Sequence, residues 1–310
     1  MHAADNLRDS RPTRPTVLPA RQSADQSAGR AIDQVARGGA GYPSRLLQLS
    51  DAPAVLWVCG RVPEEAGRTV AVVGARAASG IGCARARGLA AELASQGIVV
   101  ISGGAFGIDA AAHEGALDAA APTFAVFGCG VDVTYPDRHA PLFARIAAAG
   151  GLLSEYAPGT PPRAGQFPAR NRLIAALADA TIVVEAAQRS GALITARLAR
   201  GLGRPVLAVP GSSGTDRLLQ QGQALPVSSV ADVEEVLAGR RPRPLREAEP
   251  PTGAIGTLVA ALREGASTPA ALSRKTGLPL PAVMAALVEA ELDGWLCRIP
   301  GNQYEVIRRG

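Results

Sequence analysis

The stretch Thr69-Val-Ala-Val-Val-Gly74, together with the turn that follows it, decides the fold of this chain. Its nearly continuous apolar run predicts a strand buried on both sides, which is typical of a parallel sheet covered by helices on both faces. Ala75 and Arg76 follow, and Gly80-Ile81-Gly82 then opens a helical stretch. We therefore predict a strand, a tight turn with accessible backbone amides, and a helix.

The same alternation continues along the chain as far as Val209. Further apolar runs end at Ser102, Phe127, Glu155, Glu185 and Val209, and Ala-rich helical stretches lie between them. This order predicts an α/β fold, with a Rossmann-like, doubly wound, mostly parallel sheet. Ligands of such sheets bind beyond the carboxyl ends of the strands, so we expect the functional site at that edge.

Four regions are predicted from pattern and composition. Residues 1–38 lack apolar periodicity and are expected to be a disordered tail, and residues 39–238 form the Rossmann-like domain. Residues 239–252 are a Pro- and charge-rich linker. Residues 253–310 contain a helix, a helix-turn-helix and a hairpin around Pro300-Gly301-Asn302, which together predict a small winged helix.

Composition excludes several classes of protein. Hydrophobic residues make up 47% and charged residues 19% of the chain, as in ordinary globular proteins. No apolar run is long enough to span a membrane, and residues 1–27 have no apolar core of a secretory signal. The four cysteines are isolated, without metal-binding spacing, so we expect reduced thiols, a cytoplasmic location, no metal and no cofactor.

The positive charge of the chain is concentrated in one segment. The whole chain has a formal net charge of +5, and residues 160–204 hold seven arginines against two acidic residues, which is also +5. This segment includes Phe167-Pro-Ala-Arg-Asn-Arg172 at the start of a predicted helix, and Arg189-Ser190-Gly191 at the start of the next one. Helix N-termini and arginines both suit phosphate, so the segment favours a polyanionic ligand, although a solvated basic face remains open.

A second Gly-rich strand end, Ser102-Gly103-Gly104-Ala-Phe106-Gly-Ile-Asp109, reaches the same edge of the sheet. It is followed by His113, one helical turn after Asp109. We interpret this pair as a structural hydrogen bond, with a metal site or a catalytic base as the alternative. The region before Gly80 lacks the G-x-G-x-x-G pattern, so a dinucleotide site is not predicted.

The predicted winged helix is nearly neutral. Residues 251–310 hold six basic and five acidic side chains. Proteins that read duplex DNA usually present a clearly basic surface. Contact with protein, or a structural role, is therefore at least as well supported for this module as DNA binding.

Taken together, the motifs resemble those of the DNA-processing protein A family (DprA, also called Smf). The resemblance rests on ordered motifs: Val-Val-Gly-Ala-Arg76, Ser102–Asp109 with His113, Phe127-Gly-Cys-Gly-Val-Asp132 with Tyr135-Pro136, Leu153-Ser-Glu-Tyr156, Pro158–Pro162, Phe167–Arg172, Val184-Glu185, Ser190-Gly191 and Ala208-Val-Pro-Gly211. It implies a dimeric protein that binds single-stranded DNA and loads the RecA recombinase onto it during natural transformation or recombination. It implies no enzymatic reaction.

The resemblance also implies which residues contact DNA. They are Arg76, the amides of Ser102, Gly103 and Gly104, the run Arg170-Asn171-Arg172, and the turn Ser190-Gly191. Arg163 and Arg189 of the basic segment complete the predicted set. Phe106 stands where many relatives have a basic residue, so it either stacks on a base or packs in the core. Many relatives also have an N-terminal helical domain, whereas a polar tail precedes Tyr42 here.

Two other functions compete with this one. Enzymes of the Lonely Guy phosphoribohydrolase type share the α/β architecture, and Glu185 beside arginines could act as an acid with a phosphate clamp. The chain lacks the Pro-Gly-Gly-x-Gly-Thr loop of that family. A winged-helix transcription factor with an α/β sensor domain is the other alternative, and the near-neutral tail argues against it.

Overall fold

A nine-stranded mixed sheet forms the body of residues 31–240. The computed structural model describes residues 31–240, 252–292, 295–299 and 301–306. The strands lie in the order β1-β2-β6-β5-β4-β3-β7-β8-β9. Their bounds are β1 Ile32–Ala36, β2 Val55–Gly60, β3 Thr69–Val73, β4 Val99–Ser102, β5 Thr123–Phe127, β6 Gly151–Ser154, β7 Ala180–Val183, β8 Val206–Ala208 and β9 Leu225–Pro226.

The direction of the strands confirms the predicted doubly wound arrangement. From β6 to β9 all neighbours are parallel, whereas β2 is antiparallel to both β1 and β6. From β3 the chain proceeds through β4 and β5 to β6 in one direction, and β7, β8 and β9 then lie on the other side of β3. The order therefore reverses between β3 and β7, and the loops after these two strands diverge at the carboxyl edge.

Helices cover both faces of the sheet because alternate strand residues point to opposite sides. The helices are α1 Gly80–Ser95, α2 Ile108–Asp118, α3 Ala140–Ala149, α4 Gln166–Leu177, α5 Gly191–Gly201, α6 Ser213–Gln220 and α7 Val230–Leu237. On β3, Ala71 and Val73 pack in one core cluster with helices α4 and α5, while Val70 and Val72 pack in another with α1, α2 and α7. Short 3-10 helices cover Ser44–Gln48 and Asp137–His139.

The boundary predicted for the disordered tail is wrong at its carboxyl end. Residues 32–36 lie within the predicted tail but form the edge strand β1, which pairs with β2. Three of its five side chains are exposed, and only Ile32 and Val35 pack against the core. The apolar pattern in the sequence is therefore weak, and the backbone pairing with β2 contributes much of the attachment. Residues 1–30, and residues 241–251 of the predicted linker, lie outside the described part of the chain.

The carboxyl-terminal module has the predicted winged-helix elements. Helices α8 Ala254–Arg263, α9 Pro269–Thr276 and α10 Leu280–Leu292 precede an antiparallel pair, β10 Leu296–Ile299 and β11 Gln303–Val306. Its own apolar core includes Leu258, Leu272, Leu287 and Leu296. Across the described ranges of the whole chain, none of the helices has both the length and the apolar character required to cross a membrane.

Candidate nucleic-acid interface

A cleft of about 420 Å³ opens at the point where the strand order reverses. Its wall on one side follows β3, and its wall on the other follows β7; the start of helix α4 closes it. This is the crevice in which open α/β sheets bind ligands. The lining residues are Val73, Gly74, Arg76, Ala105, Asp109, Tyr135, Pro162, Ala164, Phe167, Pro168, Arg170, Asn171, Ile174, Ser190, Gly191, Ala192 and Thr195.

Arg76 supplies an accessible cation to this cleft. Its side chain is exposed, and the guanidinium carbon lies 5.2 Å from the centre of the Phe167 ring. The Phe167 ring lies in turn 5.4 Å from that of Tyr135, which is 44% exposed. A charge that can meet a phosphate therefore stands beside two aromatic faces on which bases could stack.

The opposite wall is the amino end of helix α5. Ser190 caps this helix, and its hydroxyl accepts a hydrogen bond from the Ala192 amide. The side-chain amide of Asn171 donates to the carbonyl oxygen of Gly191 at 3.3 Å and so ties α4 to α5. A Cβ atom added to Gly191 would meet no heavy atom within 4 Å. The exposed start of an eleven-residue helix thus faces the cleft, where its dipole favours an anion.

Arg170 lies at the floor of the cleft, where its side chain stabilises the fold. Its side chain is buried, with 4% of the residue exposed, and its Nη1 donates to the carbonyl oxygens of Gly103, at 2.7 Å, and Val126. Burial lowers the pKa of the guanidinium to about 10, and the negative charge of Asp109 opposes this effect. The guanidinium therefore holds the ends of β4 and β5 from the floor of the cleft, and its predicted contact with DNA stays a prediction.

The Ser102–Gly104 loop is packed beside the cleft, with Gly103 in the wall of a smaller recess, and contact of its amides with DNA stays a prediction. All three residues are buried, and the Ser102 hydroxyl donates to the carbonyl oxygen of Val72 at 2.6 Å. A Cβ atom on Gly103 would lie 2.7 Å from both Arg170 Nη2 and Asp109 Oδ2. Glycine is required there because the buried Arg170 guanidinium and Asp109 carboxylate both occupy that space.

Arg172 does not line the cleft, and its predicted contact with DNA stays a prediction. Its guanidinium forms salt bridges with Asp51 at 2.7 Å and with Glu155 at 2.8 Å. Its side chain is only 15% exposed. Arg172 therefore connects helix α4 to the loop before β2 and to the end of β6.

The remaining predicted residues lie at the rim. Phe106 is 43% exposed and packs edge-on against the His139 ring, with ring centres 4.6 Å apart. It lines a smaller recess that Arg76, Tyr135 and Phe167 also line, which favours stacking on a base over core packing. Arg163 and Arg189 are exposed next to lining residues but do not line the cleft themselves.

The hydrogen bond predicted between His113 and Asp109 is not present, because His113 pairs with Thr123 instead. Its Nδ1 lies 2.8 Å from the hydroxyl oxygen of Thr123, which donates to the carbonyl oxygen of Val100. The hydroxyl thus accepts from His113, and Nε2 is left buried without a hydrogen-bond partner in the described part of the chain. Burial, reinforced by His139 and Arg170, lowers the pKa of His113 to about 3. A neutral, enclosed imidazole of this kind is a structural group.

We expect His113 to make the fold sensitive to acid. The pKa of an unfolded histidine is about 6.5, so the unfolded chain binds the extra proton as pH falls from there toward 3. The free energy of unfolding is thus unaffected by this group well above pH 6.5 and decreases below that pH, by about 1.4 kcal/mol at pH 5.5. Urea unfolding at pH 7.5 and 5.5 should show this loss shrinking in His113→Asn, with His139→Asn as the control. An unchanged loss in His113→Asn would contradict the assignment.

Sequence reasoning missed the role of two cleft residues. Phe167 and Tyr135 both line the cleft, but the sequence motifs that contain them did not indicate a contact with DNA. Aromatic residues make up only 4% of the chain, so two of them beside glycine-rich strand ends could have indicated a site for stacking.

In the ranges that the structure describes, no group of three or more His, Cys, Asp or Glu side chains could hold a metal ion.

Known proteins with similar sequences share this arrangement of domains. Residues 34–238 match the family described as DNA recombination-mediator protein A, and residues 241–302 match the DprA winged helix domain. The putative DNA processing protein DprA of Mycobacterium tuberculosis is 42% identical over 285 residues, which cover 87% of this chain and 73% of that protein. Protein Smf of Escherichia coli is 36% identical over 287 residues, which cover 86% and 75%.

Solved structures give the same result. DNA processing protein A from Streptococcus pneumoniae superposes with a TM-score of 0.61 at 40% identity, over 66% of this chain and 73% of that one. DNA processing protein A from Helicobacter pylori, whose structure addresses its single-stranded DNA binding mode, has a TM-score of 0.61 at 32% identity, over 68% and 97%. The chain belongs to the DNA recombination-mediator protein A family, the DprA and Smf proteins of DNA processing.

Proposed function

We propose that this chain binds single-stranded DNA in the cleft between β3 and β7. The observation that carries the proposal is the position of the exposed Arg76 beside the rings of Phe167 and Tyr135 and opposite the amino end of helix α5. The cation and the helix terminus suit a phosphate, and the rings suit unpaired bases. Because any base can stack, we expect binding that tolerates different sequences.

The shape of the site favours a single strand over a duplex. A duplex is read by a helix or ribbon that projects into its groove, whereas this site is a concave cleft between loops. Stacking on Phe167, Tyr135 or Phe106 requires bases that are not paired. The Helicobacter pylori relative, described as binding single-stranded DNA, supports the same ligand here.

The proposal extends to recombination. The family description as a recombination mediator and the motif resemblance together support a role in which the chain protects incoming DNA and loads RecA on it. On the same grounds we propose a homodimer, a cytoplasmic location and no enzymatic reaction. RecA filament growth on DNA coated with a single-strand-binding protein, with and without this chain, tests the loading step.

Anisotropy of a labelled single-stranded 30-mer (about a few site sizes long), compared with its duplex across a salt series, tests binding itself. We expect tight binding of the single strand, weak binding of the duplex, and an affinity that falls steeply with salt as counterions are released. Equal affinity for both forms, or no binding of either, would overturn the proposal. The second result would direct attention to small phosphate ligands.

The position of Glu185 argues against a nucleotide-cleaving enzyme. Its carboxylate accepts from the Ser79 amide at 3.0 Å and from the Ser79 hydroxyl at 2.6 Å, at the start of helix α1. A Cβ atom on Gly82 would overlap the same carboxylate. Glu185 does not line the cleft; it caps a helix whose dipole favours a negative charge.

We therefore expect Glu185→Gln to affect stability and not binding. Loss of the charged cap should lower the free energy of unfolding by about 1 kcal/mol, while the affinity for single-stranded DNA stays within twofold. Urea unfolding and anisotropy measure the two effects. Release of a free base from nucleoside monophosphates by the parent chain, abolished in Glu185→Gln, would instead support the enzymatic alternative.

A further inference from the structure

Helix α10 of the winged helix presents an apolar stripe that its own domain does not cover. Leu280, Met284 and Val288 are 47%, 41% and 52% exposed. Their spacing of four residues places them along one side of the helix. They are three of the seven large apolar side chains exposed in the described part of the chain, so the exposure is concentrated on this helix.

The stripe is separate from the face that folds the domain. Val283, Ala286, Leu287 and Ala290 point inward from α10 and belong to the domain core. These four residues already anchor α10 in its own domain, so the exposed stripe is not needed for that packing. Clustered exposed apolar surface of this kind marks contact with another molecule.

The chemistry of α10 excludes DNA as that molecule. Residues 280–292 contain no Lys, Arg, His, Ser, Thr, Asn or Gln, and their polar side chains are Glu289 and Glu291. Such a helix has no side-chain donor for a phosphate and no polar group that matches most base edges, and its carboxylates repel the backbone. The partner of this face is therefore a protein surface.

Charge along the stripe points to a second copy of the chain. Arg274, in the last turn of α9, is exposed and precedes Leu280 at the start of the stripe by six residues in sequence. Glu291 is exposed at its other end, three residues after Val288 and on the same side of the helix. The neighbouring Lys275 is already paired with Glu264 at 3.0 Å. A stripe with one positive and one negative end complements itself when two copies run antiparallel.

We propose that α10 pairs antiparallel with α10 of a second copy, across a two-fold axis near Met284. Leu280 of one copy then meets Val288 of the other, and Arg274 faces Glu291 at both ends. A two-fold contact uses the same patch on both copies, as this one would. Three side chains cover much less than the roughly 800 Å² per partner of a stable interface, so we expect an association that needs high protein concentration.

Cross-linking of the full chain tests the pairing. Met284→Cys, treated with a short bismaleimide at high protein concentration, is expected to give covalent dimers well above the background of the parent chain. Glu289→Cys is the matched control, because Glu289 is exposed on the same helix but away from the stripe. Equal cross-linking of the two variants, or none above the parent level for Met284→Cys, would overturn the proposal.

Charge reversal then tests the orientation. In the Met284→Cys background, Arg274→Glu is expected to reduce cross-linking several-fold, and Arg274→Glu combined with Glu291→Arg is expected to restore it. Restoration requires that both ends belong to copies of the same chain. A double variant no better than the single one would overturn the antiparallel arrangement. Circular dichroism melting curves that match the parent would show that the exposed substitutions leave the domain folded.

Discussion

Arg170→Met is expected to lower the free energy of unfolding by about 3–5 kcal/mol, the order of the cost of leaving a buried charge without the opposite charge that compensates it. The substitution removes the donor to the Gly103 and Val126 carbonyl oxygens and leaves Asp109 buried without its cation. Burial already raises the pKa of Asp109, and the positive charge of Arg170 opposes that rise. Urea unfolding at pH 7.5, followed by circular dichroism, measures the loss.

Two variants separate the effect of these buried charges from a general effect of losing an arginine. Arg170→Met with Asp109→Asn removes both charges and should recover part of the loss, because no uncompensated charge then remains inside. Arg163→Met removes an exposed arginine of the same basic segment and should change stability by less than about 0.5 kcal/mol. A loss below about 1 kcal/mol in Arg170→Met would contradict this structural role and would favour a direct contact between Arg170 and phosphate.

The location of the cleft could be predicted from sequence because the buried strands have a recognisable apolar pattern. All five residues of β3 and of β5 are buried, so each appears as an uninterrupted run of apolar residues and threonine. Glycine-rich turns follow β3 and β4, and strand ends of this kind meet at one edge of a parallel sheet. The basic segment then indicated which part of that edge takes an anion.

The individual roles of the arginines could not be predicted in the same way. Residues two apart on a helix point to nearly opposite sides, so Arg170 and Arg172 cannot share one surface. Arg170 turns to the strand ends, and Arg172 turns to Asp51 and Glu155. These acids lie 121 and 17 residues away in sequence, and only the folded chain brings them to α4. Helical geometry alone could have shown that one of the two arginines leaves the cleft.

Arg76 is the cleft arginine that the structure leaves exposed, and Arg76→Ala is expected to weaken single-stranded DNA binding by about 10- to 100-fold. This range corresponds to the loss of one charge-assisted hydrogen bond, about 1.5–3 kcal/mol. The logarithmic salt dependence should also become shallower by about 0.7, the contribution of one phosphate contact on a single strand. Anisotropy titrations from low to moderate salt give both quantities from one data set.

Arg68→Ala is the matched control, because it removes the same charge from the other edge of the sheet. Arg68 lies just before β3 and bridges to Glu234 at 3.7 Å, whereas Arg76 follows the carboxyl end of that strand. If binding reflects only the net positive charge of the chain, the two variants lose affinity equally and the cleft is not the site. If the cleft holds the strand, Arg68→Ala stays within about twofold of the parent while Arg76→Ala loses both affinity and salt slope, since a phosphate contact is local to the atoms that make it.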